Sequence, residues 1–240
     1  MTNQESKHIL ILGSKPLSDL PAVNPKLIIT ANGAAMLASY YRISDKNLLH
    51  HAIIASGQLN NLDVVTNVKN SMPSRLIVRK SINDVSGDLY GIGREANKIY
   101  SDIEQLNLQK AYLGLWPYVD LFAEKSLKNK IRRICSWSLG RYVPFGVSTG
   151  LWALIYALHV RAPNDEIIVA GIGLNPGGHF YGRGSFQSET AMKDRFLCRF
   201  LHKHMRLVST TDDCLSAALR VRTWSGAILA KTGDVKNEKS

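Results

Sequence analysis

The chain has 240 residues, 45% of them hydrophobic and 20% charged, a composition that sustains a packed core and excludes a disordered, collagenous or coiled-coil protein. Thirty basic residues against nineteen acidic give a formal charge of +11, which favours anionic partners; without a zinc-finger spacing, an RNP-type sequence or an arginine-rich arm, nucleic acid is not the expected one. The longest apolar run, residues 151–160, is about half of the roughly 20 residues that cross a bilayer, and the opening MTNQESKH has no basic segment followed by an apolar stretch, so a cytoplasmic protein is expected.

Residues 8–13 (HILILG) read as a buried strand leading into the loop Gly13-Ser14-Lys15-Pro16. A second strand covers residues 27–30 and ends at Ala31-Asn32-Gly33, before a helix of small residues over 34–41. Residues 52–55 and 76–78 are two further strands, with a crossover helix over 60–70 between them. His50 and His51 stand at the start of the first of these, with no visible partner. Residues 81–105 read as loop plus helix, residues 111–115 as strand, and residues 122–134 as a basic helix. Residues 149–160 form a buried helix with Ser148 at its N-cap, followed by a parallel strand over 166–172. An amphipathic helix over 189–204, a strand over 205–209 and a last helix over 212–221 precede a polar tail, 231–240, expected to fray. Cys135, Cys198 and Cys214 form neither an even set nor a CxxC pair and are expected as reduced, mostly buried thiols.

Strands alternating with helices over the whole length predict one α/β domain over residues 1–230, a doubly wound, mostly parallel, Rossmann-like sheet. In such a fold the ligand lies beyond the carboxyl ends of the strands, where strand order reverses. Three segments are placed to reach it: residues 13–16, 31–33 and 171–181. No GxGxxG or GxxxxGK[ST] sequence is present, so neither NAD nor an ATPase P-loop is implied. Ser148-Thr149-Gly150 opens a helix whose free N–H groups and positive dipole end suit an anion. Asn32 can donate and accept together, as a base or ribose requires. His202 and His204 do not have the spacing of a metal pair, and no metal is expected.

Residues 143–182, VPFGVSTGLWALIYALHVRAPNDEIIVAGIGLNPGGHFYG, resemble the Ser-Thr-Gly, helix, strand, Gly segment of the sialyltransferases of glycosyltransferase family 29, their small sialylmotif. The layout is similar in the bacterial sialyltransferases of family 42. His179-Phe180-Tyr181 stands where family 29 has a His-aromatic-Tyr motif, and HILILGSKP with ITANGAA resembles the nucleotide-binding start of these enzymes. The resemblance covers residues 8–41 and 143–210. It implies a GT-A-variant, Rossmann-like fold and an inverting, metal-independent transfer of a sialic acid or the similar Kdo from a CMP-sugar, the donor being needed without a separate cofactor. The acceptor would be a surface glycan or a lipid-linked glycan.

Carried onto this chain, the resemblance implies that Ser14, Asn32, Ser148, Thr149, Gly150 and Tyr181 bind the donor, with Tyr181 on the leaving phosphate and His179 as the base. Two departures stand out. Ser14-Lys15 replaces the Asn and Gly usual in these families, and the second His expected after the His-Phe-Tyr motif is missing between Arg183 and Glu189, which makes Glu189 a rival base. The basic cluster Lys125, Lys128, Lys130, Arg132, Arg133 and Arg141, with Trp137 and Tyr142 interleaved, reads either as a solvated helix face or as a contact with an anionic membrane surface, which would make the protein peripheral on the inner membrane. A reading from another class is a non-catalytic nucleotide- or glycan-binding subunit of a polysaccharide assembly complex.

Overall fold

The computed structural model describes residues 7–42, 47–79, 97–114, 126–139, 146–174, 178–179, 182–185 and 188–232; of residues 178–179, 182–185 and 188–190, and of Asn97, Arg133 and Trp137, it describes the backbone alone. In chain order the strands are β1 (His8–Leu12), β2 (Asp19–Pro21), β3 (Leu27–Ala31), β4 (Leu49–Ala55), β5 (Arg75–Arg79), β6 (Asn97–Tyr100), β7 (Glu166–Ala170), β8 (Gly178–His179), β9 (Gly182–Ser185), β10 (Val208–Thr210), β11 (Arg222–Thr223) and β12 (Ile228–Lys231). The helices are α1 (Ala38–Arg42), α2 (Leu62–Ser71), α3 (Asp102–Leu113), α4 (Leu127–Ser138), α5 (Thr149–Val160), α6 (Ser188–Leu201) and α7 (Asp213–Leu219).

Among the described residues eight strands make one sheet in the order β11-β10-β7-β1-β3-β4-β5-β6, and every pairing described in it is parallel. The protein is therefore α/β with a doubly wound, Rossmann-like sheet. Successive strand residues face opposite sides, so Ile9 and Ile11 join Ile29, Ile167 and Val169 under α5, while Leu10 and Leu12 join Ile28, Ile168 and Ala170 under the segment of residues 34–41. Helix α5 packs across β1, β3 and β4 with α3 beside it, which is why it is apolar nearly all round. A two-stranded antiparallel ribbon, β2 with β12, brings the chain's last described residues back to the loop after β1: Ser18 N–H donates to the buried Thr232 Oγ1 at 2.8 Å, and the Thr232 hydroxyl donates to Lys15 O at 3.1 Å.

Several boundaries differ from the sequence reading. Residues 111–113 are the last turn of α3, not a strand. That helix starts from a capping box in which Ser101 and Glu104 bond reciprocally, and nothing interrupts it before Gly114. β6 was hidden within the polar 81–105 stretch, because an edge strand exposing Lys98 and Ile99 on its surface lacks the apolar run that marks a buried one. Strand β4 starts at Leu49, so His50 and His51 lie inside the sheet. The basic helix runs over Leu127–Ser138; residues 122–125, Arg141 and Tyr142 lie outside the described residues. Helix α6 gives way at Leu201 to a 3-10 turn, His202–His204, and the strand after it is only Val208–Thr210. Lys231 belongs to β12 and not to the tail, of which 233–240 lie outside the described residues. Cys135 and Cys214 are exposed, and only Cys198 is buried. Among the described residues no helix is long and apolar enough to cross a membrane.

Candidate functional site

From β1 the chain adds β3, β4, β5 and β6 outward on one side, then returns to add β7, β10 and β11 on the other. Strand order therefore reverses between β1 and β7. There the two following loops meet backbone to backbone: Gly13 N–H donates to Ala170 O at 2.7 Å and Lys15 N–H to Gly171 O at 2.8 Å. A Cβ on Gly13 would stand 2.2 Å from Gly171 O, and one on Gly171, whose φ is +71, would stand 2.6 Å from Gly13 O. Only glycine at both positions lets the loops approach this far. The Lys15 side chain crosses in front of Gly173 and its ammonium pairs with Asp212. Asp212 is the N-cap of α7, its Oδ1 accepting the Leu215 N–H at 2.8 Å. The ends of β1, β7 and β10 are thus bridged by one ion pair.

Helix α5 starts beside these loops, its Gly150 facing the Ile172 side chain. Ser148 caps it as read from sequence, its hydroxyl accepting the Leu151 N–H at 3.3 Å. Around that start lies a buried polar network. Arg79, at the carboxyl end of β5, donates from Nε to Gln105 at 2.9 Å, from Nη1 to Thr149 Oγ1 at 3.3 Å and from Nη2 to Val147 O at 3.2 Å, with Trp152 stacked 5.3 Å away. Gln109 accepts the Val147 N–H, and Asp194 of α6 accepts the Ser148 N–H at 3.0 Å. Burial lowers the Arg79 guanidinium to about 10, against the pull of Asp194 and Asp102. Burial likewise pushes the Asp194 carboxyl up, while its Ser148 hydrogen bonds, Lys193 and Arg79 draw it down. The hydroxyls of Ser148 and Thr149 are therefore engaged within the protein. A Cβ on Gly150 would come within 3.3 Å of the Ile172 side chain.

Asn32 follows β3 with φ +51, a left-handed conformation that Asn tolerates better than most residues. Its Oδ1 accepts the Ala55 N–H at 3.1 Å, tying the ends of β3 and β4 together. Ser14 is half-buried on the switch-point loop. His179 lies on the β8–β9 hairpin, paired with Gly182, and Glu189 lies in the first turn of α6; for both the backbone alone is described. Tyr181 lies outside the described residues. Sequence reasoning thus brought Ser14, Asn32, Ser148, Thr149 and Gly150 to one edge of the sheet. It missed Arg79, Asp194, Gln105, Gln109 and the Lys15–Asp212 bridge.

Two other places hold polar groups. His50 is fully buried in β4, its Nε2 2.9 Å from Thr30 Oγ1, and His51 Nδ1 lies 3.1 Å from the Tyr156 hydroxyl, so both have partners that the sequence did not show. A cleft of about 650 Å3 lies at the amino ends of the strands, lined by Lys7, Lys26, Asn47, Leu49 and Asp165 among others. Its Lys26 is paired with Asp165 at 2.6 Å, and it opens at the sheet edge opposite the switch-point loops, away from the helix N-terminus and strand ends where α/β sheets gather their ligand groups. Among the described residues no group of three or more His, Cys, Asp or Glu is placed to hold a metal ion.

No protein-family model, no curated protein and no solved structure matches the chain.

Proposed function

We propose that the protein binds a cytidine nucleotide in the crevice between β1 and β7 and transfers a sialic acid or Kdo-type sugar from its CMP-sugar to a glycan or lipid-linked acceptor, with inversion and without an essential metal. One observation supports this reading above the others. The segments that resemble sialyltransferases, the β1 loop, the end of β3, the start of α5 and the loop after β7, are remote in sequence and lie together on the carboxyl edge around the switch point. In the reaction a base, His179 or Glu189, takes the proton of the acceptor hydroxyl as its oxygen bonds to the anomeric carbon. The bond from that carbon to the CMP phosphate oxygen breaks, and the phosphate leaves with the electron pair. Lys15, the first N–H groups of α5 and Tyr181 are the groups available to the charge that develops there.

A second reading, a binding subunit without catalysis, is favoured by the internal engagement of the Ser148 and Thr149 hydroxyls. Two measurements separate the possibilities. A ligand that binds only the folded state at a hundredfold excess over Kd adds about 2.7 kcal/mol of stability, so CMP and CDP are expected to raise the melting temperature where NAD and ATP do not. An unchanged melting curve with millimolar cytidine nucleotides removes the donor assignment. If the enzyme reading holds, His179→Ala or Glu189→Gln, whichever removes the base, lowers turnover by roughly 10²- to 10⁴-fold with nucleotide binding nearly intact. Nucleotide binding without any transfer or donor hydrolysis by the parent protein selects the binding-subunit reading.

A further inference from the structure

Helix α4 (LKNKIRRICSWS) carries four basic residues and no acidic one, and its described side chains are exposed or half-exposed along the whole of its length. Three aliphatic side chains stand out: Leu127 is 72% exposed, Ile131 54% and Ile134 37%. At about 100° per residue these three fall within about 60° of one another, on a single stripe. Lys128 lies on one flank of the stripe and Lys130 on the other, with Arg132 beyond Lys128. A soluble surface seldom leaves an aliphatic stripe uncovered, and a continuous one marks an interaction face. Two cationic borders around it narrow the partner. A second copy of the same helix would set like charges against each other, and nucleic acid has phosphates for the cations but nothing that calls for three aliphatic side chains in a row.

We propose that α4 is an interfacial helix that lies flat on an anionic lipid surface, burying Leu127, Ile131 and Ile134 at the headgroup–acyl boundary while Lys128, Lys130 and Arg132 reach the lipid phosphates. Apolar insertion and charge attraction then act together, as they do for in-plane amphipathic helices, and the long cationic stems extend sideways to keep their heads in the polar layer. This inference does not depend on the chemistry at the switch point. It adds to the charge-based reading of the basic helix a specific apolar contact.

The test uses the full chain and flotation with vesicles of phosphatidylcholine alone or mixed with phosphatidylglycerol. The expected result is flotation with the mixed vesicles only, reduced by salt. Ile131→Asp on this exposed position is expected to lower the bound fraction about tenfold or more, and the triple variant Lys128→Gln, Lys130→Gln, Arg132→Gln by a similar factor. An environment-sensitive label on the exposed Cys135, in a Cys214→Ser background, is expected to shift to shorter wavelength with the mixed vesicles, and circular dichroism checks that each variant is folded. Absence of flotation overturns the proposal. So does flotation lost with the charges but unchanged by Ile131→Asp, which describes attraction without insertion, and so does a dimer that depends on Ile131 and ignores vesicles.

Discussion

Lys15 is the residue on which the proposed site turns, because its ammonium is already held by Asp212. Its backbone is pinned by Gly171 O on one side and by the Ser18 and Thr232 hydroxyls on the other, so only the four-carbon side chain is free to swing. If Lys15 left, Asp212 Oδ1 would keep its bond from the Leu215 N–H, while Oδ2, the atom that holds the ammonium, would need water in its place. Under the proposed function, a nucleotide phosphate bound there would compete with a carboxylate for the same cation. Asn caps a helix as well as Asp, which makes Asp212→Asn a clean removal of the competing charge. It is expected to tighten CMP binding by about fivefold, while Lys15→Met weakens it by about tenfold to a hundredfold through the lost charge-assisted bond. Isothermal titration of the three proteins reads this directly, and equal affinities would place the phosphate elsewhere. The bridge was not legible in the sequence because nearly two hundred residues, 197, separate its partners. Arg79 was equally hidden: an Arg ending an apolar strand looks like a solvated terminus until α3 and α5 close over it.

At the scale of elements, legibility followed how far local signals decided the structure. Helix α5 was found to the residue because its Ser cap, its unbroken apolar body and the following Arg-Ala-Pro all act within the segment itself. The false strand at 111–115 had the opposite cause. Ala-Tyr-Leu-Gly-Leu reads as apolar in isolation, but the capping box ten residues earlier commits the backbone to a helix that continues through Leu113. The cap of α5 supplies its own prediction. Ser148→Ala removes the hydroxyl that accepts the Leu151 N–H, and leaves the Ser148 N–H bonded to Asp194. The expected cost is about 1 kcal/mol, seen as a lower urea midpoint at unchanged m-value. Because that hydroxyl is engaged by its own helix and by Asp194, CMP affinity is expected to change by less than about threefold. A much larger loss of affinity, with stability little altered, would show that Ser148 reaches the ligand after all.

The whole molecule was legible as a doubly wound sheet because each buried parallel strand is a continuous apolar run, and this pattern survives errors of a few residues at any boundary. What the pattern could not show was that β4 takes two histidines into the interior, and this has a consequence for the stability of the entire fold. Burial, helped by Arg42 and His51, lowers His50 to about 3, and burial with Arg75 lowers His51 to about 4, both from an ordinary value of 6.5. Below pH 6.5 the unfolded chain therefore binds protons that the folded chain refuses. Stability is fully present above that pH and falls as the pH drops toward 4, at up to about 1.4 kcal/mol per unit for each histidine. His51 is the more exposed of the two, and water at its ring reduces its share. Asp194 works in the opposite direction, since a carboxyl raised by burial takes up its proton more readily in the folded state. The histidines dominate between pH 6.5 and 5, above the range where ordinary aspartates titrate. Several kcal/mol lost by pH 4 is comparable with a typical total of about 5–15 kcal/mol, so acid unfolding is expected well above the pH at which the carboxylates alone would cause it. Urea midpoints measured from pH 8 to pH 5 should be level down to about 6.5 and then decline. His51→Gln, which keeps a polar group near the Tyr156 hydroxyl, should make the decline shallower, and a parent curve that stays flat to pH 5 would mean that the two rings gain protons without opening the sheet.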